Sequence, residues 1–112
     1  MATGHYELTK SSNGQYHFNL KASNGEIILS SEMYASKASA ENGIASVQTN
    51  SPHEAQFEVK ISSNNKPYFV LKAKNHQVIG TSQMYSSESA AKNGIQSVIK
   101  NGPTPDVRDL SA

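Results

Sequence analysis

The chain of 112 residues contains no cysteine and no tryptophan. The lack of cysteine excludes a disulfide scaffold, a thiolate metal site and a cysteine nucleophile, and it fits a reducing compartment. Charged residues make up only 17% of the chain and the net charge is +1, so we expect no general attraction to nucleic acids or membranes. Because disorder usually combines low hydrophobicity with high net charge, this balance indicates a folded protein.

Long hydrophobic runs are also missing. The longest, such as residues 27–29, fall far short of the roughly 20 residues that a membrane helix needs. Residues 1–5 lack the basic region and the apolar region of a secretory signal. We therefore expect a soluble cytoplasmic protein that has no membrane partner.

The chain does contain an internal sequence repeat. Residues 18–52 align without a gap with residues 69–103, since 69 − 18 and 103 − 52 both give 51. Between residues 6–52 and 57–103, 22 of the 47 aligned positions are identical. The shared positions are mostly apolar, turn and helix-cap residues, so the repetition indicates a scaffold rather than a reactive centre.

The length of the repeat bears on domain organisation. A unit of about 50 residues buries little surface alone, so we predict one domain over residues 1–112 with short flexible termini. Its two repeats would span about 6–56 and 57–110. Residues 106–110 could add a short strand, and residues 55–61 could both close the first repeat and open the second.

Each repeat opens with a pattern typical of three short strands. In the first repeat, residues 6–10, 16–22 and 26–30 are alternating or apolar. Asn13-Gly14 and Asn24-Gly25 lie between them, and Asn-Gly is the strongest short signal for a hairpin turn. The first half of the repeat is therefore predicted to be an antiparallel meander.

The second repeat keeps this turn chemistry without glycine. Its turns are Asn64-Asn65 and Asn75-His76. Asparagine is among the residues other than glycine that best tolerate a positive φ, so we expect the asparagines to hold these turns.

The second half of each repeat has helical periodicity. In the first repeat Ser36 is a plausible N-cap, and the spacing predicts a helix over residues 37–49. One apolar stripe runs along it, formed by Ala40, Ile44 and Val47. Gly43 lies beside this stripe, where the missing Cβ would let the helix approach the sheet closely.

Three motifs in each repeat carry a resemblance. These are LKA-x-N at the second strand, S-x-MY-x-S before the helix and NGI-x-SV within it. Over residues 6–110 the chain resembles the YegP-like family of small bacterial tandem-repeat proteins, whose function is uncharacterised. The resemblance implies an α+β fold in which two tandem β-β-β-α-β repeats form one antiparallel sheet, exchange their C-terminal strands and place two helices on one face. It implies no activity.

The sequence carries no recognisable reaction chemistry. It has no phosphate-binding glycine motif and no nucleophile elbow. The histidines do not show metal-binding spacing and occur at His5, His17, His53 and His76. We therefore nominate no catalytic, cofactor-binding or metal-binding residue and expect no cofactor. Glu7 and Glu58 recur in both repeats, and we interpret them as solvated strand positions.

Four shared features have no evident place in the core. They are the pairs Lys21/Lys72, Ser31/Ser82, Met33/Met84 and Tyr34/Tyr85. One interpretation is that each Met-Tyr pair closes the end of the core, with the methionine as gap-filler and the tyrosine hydroxyl pointing outward. The alternative is a pair of symmetry-related binding notches.

A sheet covered by helices on one face leaves the other face open. Tyr68 and Val70 fall on that face and are unusually apolar for a solvated surface. We therefore expect a small non-catalytic binding or interaction module whose partner is another protein or a second copy. The candidate binding surface comprises Lys21, Lys72, Tyr68, Tyr34 and Tyr85. A single-stranded nucleic-acid binder, with Tyr68 stacking on a base, and an enzyme remain as less favoured alternatives.

Overall fold

The computed structural model describes residues 4–111 of the chain. The termini predicted to be flexible include residues 1–3 and 112, which lie outside the described residues. In chain order the elements are strands β1 His5–Lys10, β2 Tyr16–Lys21 and β3 Ile27–Ser30, helix α1 Lys37–Asn50, strands β4 Phe57–Ile61, β5 Pro67–Lys72 and β6 Val78–Thr81, helix α2 Glu88–Asn101 and strand β7 Val107–Asp109. A short 3₁₀ turn, Glu54–Gln56, precedes β4.

The strands form one seven-stranded sheet in the order β4-β5-β6-β3-β2-β1-β7. Neighbours are antiparallel, except that β7 runs parallel to β1. The two repeats meet where Ser30 of β3 lies opposite Thr81 of β6. These residues are themselves 51 positions apart, so a pseudo-twofold axis passes between them. The predicted tandem-repeat α+β fold is confirmed, with a sheet that is antiparallel apart from its last strand.

The strand after each helix joins the other half of the molecule. β4 follows α1 and pairs with β5 of the second repeat, whereas β7 follows α2 and pairs with β1 of the first. Because β4 also opens the meander of the second repeat, the double role predicted for residues 55–61 agrees with this arrangement. The implied exchange of strands therefore places β4 at one edge of the sheet and β7 at the other.

The hairpin turns need a positive φ at one position each. Glycine provides it in the first repeat, with φ of 84° at Gly14 and 85° at Gly25. In the second repeat Asn65 takes a φ of 64°, as expected. At the last turn, however, the positive φ of 69° falls on His76. Asn75 instead accepts a hydrogen bond from the Gln77 N–H at 3.1 Å.

A single core lies between the sheet and both helices. Its fully buried aromatic residues are Tyr6, Phe18 and Phe69. Both helices begin at serine caps, as predicted for Ser36, because Ser36 and Ser87 each accept a backbone N–H at 3.1 Å. Helix α1 packs on β2 but also on β5 and β6, and α2 packs on β4 and β5 but also on β2 and β3. Each helix thus covers strands of both repeats.

Within residues 4–111, the helices are too short and too polar to cross a membrane.

Candidate functional site

The open face of the sheet is the face turned away from both helices. Phe18 and Leu20 of β2 lie in the core. Since successive side chains of a strand point to opposite faces, the intervening residues of β2 face outward. In β5 the same alternation places Tyr68, Val70 and Lys72 on the open face. Val70 is only 5% exposed there, and β5 has a neighbouring strand on each side, β4 and β6.

The two shared lysines are engaged in ion pairs on this face. Lys21 Nζ lies 3.1 Å from Glu7 Oε1, and Lys72 Nζ lies 2.5 Å from Glu58 Oε1. His5 also contacts the Glu7 carboxylate at 2.9 Å. The hydrogen bonds from His5 and Lys21 hold the pKa of Glu7 below its usual value, and the bond from Lys72 does the same for the pKa of Glu58. Each lysine therefore has an internal partner.

The lysines also lie far apart. β2 and β5 are separated by β3 and β6, which at roughly 4.8 Å per strand spacing puts the two strands about 14 Å apart. Lys21 and Lys72 thus belong to opposite halves of the open face and do not form one cationic patch.

Tyr34 and Tyr85 lie on the helix side of the sheet instead. The Tyr34 ring stacks on Phe18 with centroids 6.3 Å apart, and the Tyr85 ring stacks on Phe69 at 6.1 Å. A Cβ on Gly43 would lie only 2.8 Å from Tyr34 Cζ, so this glycine makes room for the tyrosine as well as for the sheet. Burial raises the pKa of Tyr34.

These contacts agree with the first interpretation of the Met-Tyr pairs for the tyrosines but not for the methionines. The tyrosines do close the end of the core, but their hydroxyls reach the helices rather than pointing outward. Met33 and Met84 are exposed, so the prediction that they fill gaps in the core was wrong.

The shared serines have a backbone role. Ser31 Oγ accepts the Phe18 N–H at 2.8 Å, and Ser82 Oγ accepts the Phe69 N–H at 2.9 Å. Each serine hydroxyl also donates to the carbonyl of the residue that follows it. The serines therefore replace a missing strand partner at the point where the chain leaves the sheet.

A shallow depression of about 630 Å³ lies at the junction of the repeats. Its lining comprises Glu32, Tyr34, Tyr68, Val70, Gln77, Val78, Ile79 and Thr81. It exists because β3 and β6 share the single residue pair Ser30 and Thr81, beyond which the two segments separate. The depression brings together Tyr68 and Tyr34 of the candidate surface. Lys21 and Tyr85 lie outside it, and Lys72 lies further along β5.

Sequence reasoning did not nominate Glu32 or Ile79 for this surface. Glu32 corresponds to Gln83 in the second repeat, so the comparison of repeats gave no signal for it. Ile79 and its counterpart Ile28 both belong to the hydrophobic core.

A second hollow was not foreseen at all. It has a volume of about 390 Å³ and lies between the edge strand β4 and helix α2. Its lining comprises Glu54, Phe57, Val59, Lys92, Asn93, Ile95 and Gln96. The strand pattern alone could not reveal it, because the pattern does not say which strand lies at an edge.

The polar groups do not converge on a metal site. Over residues 4–111, no three side chains of the metal-binding types His, Asp and Glu are placed to hold an ion together. His17 contacts the Thr9 hydroxyl at 3.0 Å, and His5 contacts Glu7, so these two histidines have partners within the sheet.

Comparison with known proteins gives consistent matches along the whole chain. A family model described as a domain of unknown function, DUF1508, matches residues 11–58 and 62–109. The chain is 74% identical over 111 residues to the UPF0339 protein YegP of Yersinia pestis, covering 99% of each protein. It is 60% identical to the UPF0339 protein of Shewanella oneidensis with a known solution structure, with a TM-score of 0.92 over 98% of this chain and 93% of that one.

The solution structure of the E. coli protein yegP, described as a protein of unknown function, is similar as well. It has a TM-score of 0.94 and 54% identity, covering 100% of this chain and 97% of that chain. The two matched ranges of the family model are offset by 51 residues, as are the repeats. The chain therefore belongs to the DUF1508 family, as a tandem-repeat protein similar throughout to the bacterial UPF0339 proteins of the YegP type.

Proposed function

We propose that the protein is a non-catalytic interaction module that binds a partner protein through the open face of its sheet. The observation that carries this proposal is the depression between the repeats, where the partly exposed Tyr68 and Val78 form an apolar patch beside the exposed Glu32. Small-molecule sites usually enclose most of their ligand, whereas this depression is shallow. Its form suits a side chain presented by another protein, and tyrosine is a frequent anchor of such interfaces.

The charges of the open face support a protein rather than a nucleic acid. Lys21 and Lys72 already pair with Glu7 and Glu58. A phosphate backbone would have to replace these carboxylates on two strands that are about 14 Å apart. Tyr68 is the candidate stacking residue, and stacking on a single ring contributes only about 1–3 kcal/mol.

Photo-crosslinking in cells of the source organism tests the proposal with a matched control position. A photoreactive amino acid replaces Tyr68 in one variant and His17 in another, since these positions correspond between the repeats and face the same side. We expect one specific protein adduct from position 68 and none from position 17. Co-expressed protein without the photoreactive amino acid should compete for the partner and reduce this adduct. Co-expressed Tyr68→Ala protein should compete weakly.

Three outcomes would contradict the proposal. Equal adducts from both positions would remove the specificity of the depression, and an adduct of two copies of the chain would assign the face to self-association. Adducts to nucleic acid in place of protein would favour the single-stranded nucleic-acid alternative.

A further inference from the structure

The two edges of the sheet differ in a way that the internal repeat makes visible. Strands β1 and β4 correspond at an offset of 51 residues, so Tyr6 matches Phe57 and Leu8 matches Val59. Beside β1 runs β7, which is anchored by a hydrogen bond from Leu110 N–H to Leu8 O at 2.8 Å. Within the described part of the chain, β4 pairs with β5 alone. The place beside β4 that corresponds to β7 is thus open.

Burial follows this difference. Tyr6 and Leu8 are 0% and 1% exposed, whereas their counterparts Phe57 and Val59 are only partly buried. Ile61, at the end of β4, is 57% exposed. Phe57 and Val59 line the hollow of about 390 Å³ between β4 and α2. Apolar residues that are covered in one repeat therefore remain accessible in the other.

The backbone of β4 is also available for pairing. Leu8 directs its carbonyl away from β2 and toward β7. Residues alternate in the direction of their backbone groups, so the corresponding Val59 directs its N–H and C=O away from β5. On the open face of the sheet, Glu58 and Lys60 keep this edge charged, which opposes indiscriminate pairing with other strands.

We propose that the edge of β4 is a docking site for an extended peptide segment of another protein, which would run parallel to β4 as β7 runs parallel to β1. In the β7 template, Val107 pairs with Tyr6 and Asp109 pairs with Leu8. The docked segment therefore places an apolar residue beside Phe57, over the hollow. The residue two positions further along the docked segment lies beside Val59. This surface is separate from the open face, so the two proposals stand or fall independently.

The charge at this second position defines the peptide further. In β7, Asp109 forms an ion pair with Lys37 at the start of α1. The counterpart of Lys37 in α2 is Glu88, an exposed residue whose contact with Lys92 is long, at 3.8 Å. A residue beside Val59 would therefore meet a carboxylate, and lysine or arginine fits there. The change from Lys37 in α1 to Glu88 in α2 also disfavours docking of β7 from a second copy of the chain. Asp109 of that copy would face the Glu88 carboxylate.

Two synthetic peptides with blocked ends test this docking. One has the sequence of residues 104–111, and the other has the same sequence with the substitution Asp109→Lys. Each is titrated into isotope-labelled full-length protein and followed by NMR. We expect the lysine peptide to shift the amide signals of Val59 and of the first turn of α2, and to bind roughly three- to tenfold more tightly than the natural sequence.

Variants of the protein and of the peptide test the two contacts that the proposal predicts, the ion pair with Glu88 and the hydrogen bond to Val59 O. Glu88→Lys, an exposed substitution, should reverse the preference between the peptides, and Glu88→Gln should remove it. N-methylation of the lysine peptide at the residue corresponding to Leu110 should abolish binding, because that N–H would donate to Val59 O. N-methylation one residue earlier, where the N–H points away, should be tolerated.

Several results would overturn the proposal. One is the absence of shifts at Val59 with either peptide at millimolar concentration, and another is a preference that Glu88→Lys leaves unchanged. A concentration-dependent dimer that pairs through β4 without any peptide would assign the edge to a second copy instead.

Discussion

At the scale of single residues, the pseudo-twofold axis leaves room for only one side chain where the two helices end. Ser51 and Gly102 are counterparts in the repeats, and they touch each other. A Cβ built on Gly102 would lie 2.5 Å from Ser51 Cβ. The φ of Gly102 is −57°, so glycine is needed here for space and not for its backbone freedom. The pair consists of one residue with a side chain and one without.

This complementarity predicts the effect of exchanging the two residues. Gly102→Ser should lower the free energy of unfolding by about 1–3 kcal/mol, as expected for overpacking. Adding Ser51→Gly to that variant should restore most of the loss, because the exchange places the same pair on the other side of the axis. Urea denaturation of both single variants and of the double variant measures this. An undiminished stability of Gly102→Ser, or a double variant less stable than it, would contradict the prediction.

The residue scale also shows where sequence reasoning stops. Tyr34 and Tyr85 stood out because they are repeated, but repetition does not distinguish a core role from a binding role. Only the position of the ring between Phe18 and Gly43 shows that Tyr34 completes the core. Tyr68, by contrast, was found from one strand alone, because a tyrosine at an outward-facing strand position is unusually apolar for a solvated surface.

At the scale of elements, the local patterns predicted the helices and hairpins closely. The first helix was predicted over residues 37–49 and spans Lys37–Asn50, because a capping serine and an apolar stripe define it locally. The order of strands was not predictable in this way. The parallel pairing of β7 and the edge position of β4 depend on contacts between distant segments, which a local pattern does not encode. The hollow beside β4 was missed for the same reason.

The tail strand β7 depends on an ion pair that can be tested by pH. Lys37 and Ser111 donate hydrogen bonds to the Asp109 carboxylate and lower its pKa, Lys37 having the larger effect. A group whose pKa is lowered by folding stabilises the folded state above its unfolded pKa, and that contribution is lost as the pH falls through the folded pKa. The unfolded reference value for Asp109 is 3.8.

Asp109→Asn should therefore destabilise the protein at neutral pH but not in strong acid. The difference in free energy of unfolding between wild type and variant should be complete above about pH 5 and should decline toward zero below pH 3.8. Urea denaturation from pH 2 to pH 7 measures it. In a Lys37→Met background the same substitution should have a smaller effect, because the main partner is absent. A difference that does not change with pH would show that Asp109 acts through packing instead.

At the scale of the whole molecule, the repeats are units of sequence but not units of stability. The hydrophobic core is one cluster that draws residues from both halves, including Phe18, Leu20, Phe69 and Leu71. Helix α1 rests partly on β5 and β6, and α2 rests partly on β2 and β3. If one repeat were separated from the other, the inner sides of its helix and of its strands would therefore be exposed to water. This is the physical reason why two units of about 50 residues share one sheet.

This shared core predicts a single unfolding transition. NMR signals from the first and second repeats should disappear at the same urea concentration, because small domains with one core usually unfold in two states. A fragment of residues 1–56 should lack dispersed NMR signals by itself, and so should a fragment of residues 57–112. Mixing the two should restore the spectrum of the intact protein, since β7 of the second fragment pairs with β1 of the first. Separate midpoints for the two repeats, or a cooperative melt of either isolated fragment, would mean that each repeat has a sufficient core of its own.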